Sequence, residues 1–292
     1  MSNISHENPT FRVDSNSIGW ITFNDPQSKH NVLSERVMRD LAGALNQAHI
    51  AESEKLIQAL IIMSRKPGSF IAGADLGEIA KLEDPSKAEQ QIRLGQAIVG
   101  QLAELAIPTI AAVNGTCLGG GTEIALACQY RILSDSKTTN VGLPEVTLGI
   151  LPALGGTTRL PRLIGLRASL ELLLTGRSIN AQKAQRIGFA QKVFPEALFD
   201  QMVRDFAIDA SDTLPRASRR KKTFFRRILD DTKIGRKTTL RMARKKVTAQ
   251  AHGQFPAPLR ILDILDEHLD GKTSDSLTAE AHFWAELVIS AE

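Results

Sequence analysis

Two glutamates carry the chemistry this sequence could do. Glu123 follows three consecutive glycines in AAVNGTCLGGGTEIALAC (111–128), and Glu145 follows Pro144 in VGLPEVTLGILPALGGTTRLPRLIG (141–165), 22 residues further on. The first stretch reads as a buried strand running into Gly119-Gly120-Gly121, with a helix starting at once. Glycines there permit unusual backbone angles and close approach of a ligand. The new helix offers free N–H groups and the positive end of its dipole. That arrangement suits a developing negative charge. Glu145 stands among Val, Leu, Ile and Gly, where partial desolvation raises a carboxyl towards useful acid/base values. Taken alone, Glu145 also fits a cap for the next helix or a partner for Arg159, since structural ion pairs perturb carboxylates too.

Other chemistries fail on spacing. The dinucleotide fingerprint G-x-G-x-x-G would need glycine at Ile124. Gly271-Lys272-Thr273 resembles the end of a P-loop, but its first glycine position is Asp266. His6, His30, His49, His252, His268 and His282 are scattered without metal-ligand spacing, so no metal is expected and His30 reads as structural. Cys117 and Cys128 are too few for a disulfide framework and read as small buried residues of a reducing cytoplasm.

The elements that must position the glutamates follow from periodicity. TFRV and IGWITF, separated by Asp14-Ser15-Asn16-Ser17, predict a hairpin over 10–24. Ser34 is an N-cap for a helix with Val37, Met38, Leu41, Leu45 and Ala48 on one face. Residues 56–64 form an almost continuously apolar strand, as in a sheet covered on both sides, and 64–79 reads as a glycine-containing loop. Pro85 opens a helix with Ile92, Ala97, Ile98, Leu102 and Leu105 on its apolar face. Thr109–Val113 is a short buried strand, turned by Asn114-Gly115. A helix at 122–128 and a strand at Tyr130–Leu133 follow. Helices are then expected over 157–175, 181–187 and much of 197–250. Phe255-Pro256-Ala257-Pro258 is a break, and Leu259–Leu269 and Leu277–Ile289 form a terminal helical pair. The order predicts an α/β fold, with the α/β core over 1–195 and a helical C-terminal region over 196–292 packed on it or on a partner.

Length and composition fit this picture. With 292 residues, 42% apolar, 23% charged and 5% aromatic, the chain has the balance of an ordinary globular protein. The N-terminal MSNISHENPTF has no apolar core of a signal peptide, no apolar run reaches a membrane span, and a cytoplasmic location is expected. The net charge of +4 conceals one basic stretch: residues 216–246 hold 14 Lys/Arg against two Asp, leaving the rest of the chain acidic. That stretch is either a solvated helical face or a surface for a polyphosphate, a nucleic acid or an acidic partner. Phe224 and Phe225 within it could stack on bases, but adjacent phenylalanines more naturally anchor a helix, so nucleic acid is not the favoured partner.

Together these segments resemble the crotonase (enoyl-CoA hydratase/isomerase) superfamily. The resemblance runs from Lys29-His30-Asn31-Val32-Leu33 through IAGADL (71–76), AAVNGTCLGGGTE (111–123) and GLPEVTLGILPALGGTTRLPRLIG (142–165) to LTGRSINAQKAQRIGFAQKV (174–193). Within the superfamily the chain is most similar to the hydratase part of the bacterial fatty-acid oxidation multienzyme alpha subunits, which share the long loop between the glutamates and the GQFPAPLRILDIL segment (253–265).

The resemblance implies a spiral of ββα units and hydration of trans-2-enoyl-CoA to 3-hydroxyacyl-CoA in fatty-acid β-oxidation. Glu123 and Glu145 would hold the attacking water, and the backbone N–H groups of Ala74 and Gly120 would form an oxyanion hole. Lys29, Ala72, Asp75, Leu76 and Gly119 would line the substrate and CoA path. It implies no cofactor beyond the acyl-CoA substrate, a thiolase or dehydrogenase partner, and either a homo-oligomer or a surface covered by the chain's own C-terminal helices. The chain ends about where the multienzyme would continue into its dehydrogenase part. Ala153 and Leu154 stand where the family commonly has Gly and another residue, which bears on the acyl pocket. The alternatives are an isomerase of the same fold, since the scaffold hosts several reactions, and a partner- or RNA-binding role for 216–246.

Overall fold

The computed structural model describes residues 8–213, 232–251 and 256–290. The expected hairpin forms: β1 (Thr10–Val13) runs antiparallel to β2 (Ile18–Phe23). Asp14 closes it by accepting the N–H groups of Asn16 at 2.9 Å and Ile18 at 3.1 Å and the Trp20 indole N–H at 2.8 Å. Helix α1 (Glu35–Ser53) begins where the Ser34 hydroxyl accepts the Val37 N–H, and it buries Val37, Leu41, Leu45 and Ala48 as the spacing predicts.

Strand β3 (Ala59–Ser64) is buried at every position. The segment expected as a loop over 64–79 contains β4 (Gly68–Ile71) and the short helix α2 (Leu76–Ile79). Helix α3 (Pro85–Glu104) is capped by Asp84 and buries Ala88, Gly95, Gln96, Val99 and Leu102. Ala97, expected on its inner face, is exposed. The helix turns Gly95 inward instead, where Leu154 leaves no room for a side chain; a Cβ on Gly95 would stand 2.8 Å from Leu154 Cδ2.

Strands β5 (Thr109–Val113) and β6 (Gly115–Leu118) lead into α4 (Gly120–Ala127), then β7 (Tyr130–Ser134), β8 (Asn140–Gly142) and a 3-10 turn at Pro144–Leu148. The single helix expected over 157–175 is two, α5 (Gly156–Ile164) and α6 (Leu166–Thr175), parted at Gly165, whose φ of +90° no helix accommodates. β9 (Ser178–Asn180), α7 (Ala181–Ile187), β10 (Lys192–Phe194) and α8 (Phe199–Thr213) follow, and then α9 (Lys233–Ala251), α10 (Pro256–His268) and α11 (Thr273–Ser290). The break expected at 255–258 is a helix start: Pro256 and Pro258 occupy the first turn of α10, where a missing N–H costs no helical bond.

Consecutive strands divide between two sheets. The first has the order β1-β2-β3-β5-β7-β10, parallel beyond the hairpin, and the second has β4-β6-β8-β9, with β9 antiparallel. Each pair β3/β4, β5/β6 and β7/β8 gives one strand to each sheet. This is the expected α/β spiral of ββα units with a helical C-terminal region.

The first sheet is covered on both faces. Leu60, Ile62, Ala111 and Val113 enter the main core, while Ile61, Met63 and Ile110 meet α8 through Phe199, Val203 and Ala207. Helices α10 and α11 join the main core through Ile261, Leu265, Trp284 and Leu287. In the basic stretch, Arg236 pairs with Asp270 at 2.5 Å and Arg244 with Asp263 at 2.7 Å, whereas Lys237, Arg241, Lys245 and Lys246 are exposed. Residues 216–231, with Phe224 and Phe225, lie outside the described residues. Among the described residues no helix is long and apolar enough to cross a membrane.

Candidate active site

Both glutamates arise where the second sheet ends. β6 stops at Leu118, and Gly119 turns the chain with φ +53° and ψ −127°, a conformation that demands glycine. Helix α4 starts at Gly120, whose amide, as the first of the helix, has no intrahelical acceptor. The turn is held from below: Gly119 donates to Gly142 O at 3.0 Å, and the Thr122 hydroxyl lies 2.8 Å from the carbonyls of both Cys117 and Gly142.

Glu123, one turn into α4, is 2% exposed. Its Oε1 accepts the N–H groups of Leu154 and Gly156, each at 2.7 Å. Glu145 comes from the 3-10 turn after β8, which Pro144 opens and left-handed Gly149 closes. Its Oε1 lies beside Gly119, and its Oε2 is buried with no hydrogen-bond partner among the described residues. Burial holds the Glu123 carboxyl well above the usual carboxylate range, reinforced by the charges of Glu145 and Glu280. Burial pushes Glu145 up to about 7, with Glu280 adding to it. Arg159 does not bridge to Glu145; its Nη1 donates to Leu154 O at 2.7 Å, and its field falls on Glu280 and Glu123.

The facing wall is the segment after β4. Leu33 donates to Gly73 O at 2.8 Å and accepts from Asp75 N–H at 3.2 Å, a parallel bridge that turns the N–H of Ala74 away from Leu33. Ala72 donates to Asn31 O at 2.8 Å. Gly73 takes φ +116° and lies against Gly119, whose added Cβ would stand 3.6 Å from Gly73 Cα. The structure therefore brings Ala72, Ala74, Gly119, Gly120 and Glu145 to one place. Asp75 caps α2 by accepting from Gly77 and Glu78, Leu76 is 55% exposed, and Lys29 is exposed on the loop before Asn31.

Several residues that hold the site were not singled out from the sequence. The buried Asn31 side chain fixes the Lys29 loop by donating to Ser64 Oγ at 2.8 Å and Phe70 O at 2.9 Å. Gln96 donates from α3 to Ala153 O and to Leu277 O, both at 2.8 Å, tying the 153 turn to α11. Glu280, on α11, is wholly buried and grips residues 155–158. Its signal in the sequence is a carboxylate at helical spacing with Ser276, Trp284 and Leu287 on one buried face.

Cys117 and Cys128 are buried free thiols, as expected, and burial pushes both up to about 12, which leaves them unreactive. His30 contacts Ser69 Oγ at 3.2 Å. No group of three or more His, Cys, Asp or Glu among the described residues is placed to hold a metal.

The fatty acid oxidation complex subunit alpha of Aliivibrio fischeri is 37% identical over 279 residues, which cover 96% of this chain and 39% of that protein. Its counterpart in Vibrio vulnificus is 36% identical over 281 residues, with the same coverage. The chain thus spans 39% of the length of these curated relatives. An enoyl-CoA hydratase structure from Bacillus anthracis superposes with a TM-score of 0.64 at 30% identity, covering 91% of this chain and 98% of that one. A Geobacillus kaustophilus structure shares the fold, with a TM-score of 0.65 at 24% identity over 94% of this chain and 87% of that one. The family model of the enoyl-CoA hydratases and isomerases matches residues 14–257, and the chain belongs to that family.

Proposed function

We propose that the chain is an enoyl-CoA hydratase, adding water to trans-2-enoyl-CoA to give 3-hydroxyacyl-CoA. The observation that carries this reading is the pair of buried carboxyls, Glu123 and Glu145, both raised and acting on one another, with Glu145 against Gly119 at the start of α4. A single carboxylate suffices to move a proton between two carbons of one substrate. Adding water is served by one group that takes a proton from water and another that gives one to carbon.

In this mechanism the thioester oxygen lies between the N–H groups of Ala74 and Gly120. Water held by the glutamates attacks C3 and gives its proton to the ionised carboxylate. The C2=C3 electron pair moves towards the thioester, and the enolate charge collects at the two amides. The protonated carboxyl delivers its proton to C2. The pair ends with as many protons as it began with. Losing one such donor costs about 3 kcal/mol of barrier in comparable sites. Lys29, Asp75 and Leu76 line the CoA approach in this reading, and no cofactor takes part beyond the CoA of the substrate.

The relatives' name, fatty acid oxidation complex subunit alpha, supports a place in fatty-acid β-oxidation with a partner subunit. The test is the conjugated ultraviolet absorbance of a trans-2-enoyl-CoA. Hydration removes it, whereas isomerisation of a 3-enoyl-CoA creates it. Production of 2-enoyl-CoA from 3-enoyl-CoA without any hydration would replace this reading by the isomerase one.

A further inference from the structure

We propose that Glu280, from the last helix, is a positioning residue of the acid/base pair: it holds the turn 154–158 that orients Glu123, and so makes α11 part of the catalytic site. The inference rests on the two-glutamate reading and extends it to a third carboxylate.

The geometry is an alternation along one short turn. The amides of Leu154 and Gly156 donate to Glu123, each at 2.7 Å. The amides of Gly155 and Thr158 donate to Glu280, each at 2.8 Å. The hydroxyl of Thr158 also reaches Glu280 Oε1 at 2.6 Å, and the Thr157 hydroxyl makes a further short bond to the same oxygen. Thr158 is in turn 2.7 Å from Ser276, one turn earlier on α11. Gly155 is the N-cap of α5, sits at φ +109°, and has no side chain with which to cap the helix. Two carboxylates from elsewhere in the chain therefore satisfy the first amides of α5. If Glu280 lets go, the turn that aims Glu123 loses its opposite anchor.

Charge points the same way. The charged groups bearing on Glu280 and the pair are Arg159 of α5, Glu123 of α4 and Glu145 of the 3-10 turn. The charged side chains that α3 and α10 bring to α11 are occupied near the surface, Glu89 with His282 and Arg260 with Glu286. One guanidinium thus bears on two of the three buried carboxyls, Glu280 and Glu123, and the Glu280 charge favours keeping a proton on the pair.

The test is Glu280→Gln in the full chain. With folding checked by circular dichroism, kcat is expected to fall roughly 10- to 100-fold with KM within about twofold, and the acidic limb of kcat/KM to move down by about 1 pH unit. A folded variant with lower Tm but unchanged kcat and unchanged limb would make Glu280 merely structural and overturn the inference. If Glu280→Gln does not fold, the double variant Thr157→Val/Thr158→Val removes both hydroxyl contacts. It is expected to lose about tenfold in kcat, and wild-type kcat in it would overturn the inference.

A carboxyl 13C titration, with the Glu123 signal assigned by Glu123→Gln, separates the two claims. Should the wild type hydrate nothing, the hydratase reading fails. The inference about Glu280 still stands or falls on whether the Glu123 signal shifts in Thr157→Val/Thr158→Val, which keeps the Glu280 charge, or stays in place.

Discussion

The Glu145 carboxylate lies against the α-carbon of Gly119, so that a Cβ placed there would stand 2.9 Å from Oε1. This contact puts a titrating group beside the first amide of α4, and it leaves no room for a side chain at the turn. Gly119→Ala must also adopt φ +53° and ψ −127°. We expect a loss of about 1–3 kcal/mol in stability, read by thermal melting, and a fall of at least about tenfold in hydration rate as Glu145 is displaced.

The pH profile of hydration follows from the two carboxyls. Glu145 is pushed up to about 7, and Glu123 stands well above its ordinary value. They titrate as a pair. Between the two steps one carboxyl is ionised and the other holds a proton, the state that the mechanism needs. kcat/KM should therefore rise through a pH of about 7 and fall again at higher pH. A profile flat from about pH 5 to pH 9 would contradict this assignment.

Stability should respond to pH at the same residue. Below its ordinary value of 4.5 the Glu145 carboxyl is neutral both folded and unfolded, and it costs nothing. As pH rises from 4.5 to about 7 the unfolded chain ionises first, so the folded state loses stability across that window. The full loss is on the order of 3 kcal/mol. Glu145→Gln removes it. Its Tm should exceed that of the wild type at pH 8 by more than at pH 4, as thermal melts at the two pH values would show.

Leu154 sets the room beside the start of α4. Its Cδ1 would be 3.6 Å from a Cβ on Gly120, and its Cδ2 crowds Gly95. Leu154→Ala should open this space, raising kcat/KM for longer or branched enoyl-CoAs relative to crotonyl-CoA by about tenfold, the scale of one or two methylenes in an apolar pocket. Rates over a series of chain lengths would check it.

Most of the first sheet was legible because its central strands are long and apolar: β3 reads ALIIMS and β5 TIAAV, both buried throughout, whereas its short edge strand β10, KVF, was not foreseen. The second sheet was not. Its strands GSFI, GTCL, NVG and SIN are three or four residues long and rich in Gly, Ser and Asn, too short for a period to emerge. Yet this sheet ends at the site, delivering Gly119 and the turn that carries Glu145. Local chemistry still pointed to both glutamates, because three glycines and a helix start are visible in sequence. The role of Glu280 was not legible for a different reason. Its partners lie more than a hundred residues away, and only the packing of α11 on α5 brings them together.

The most direct measurement is the initial rate of trans-2-enoyl-CoA absorbance loss in wild type, Glu123→Gln and Glu145→Gln at pH about 7.5. Each substitution keeps the side-chain size and removes one carboxyl. The wild type should hydrate the substrate, and each variant should lose at least about a hundredfold in kcat/KM, as expected when a general acid or base is removed. Full hydration by either variant would contradict the two-carboxylate account.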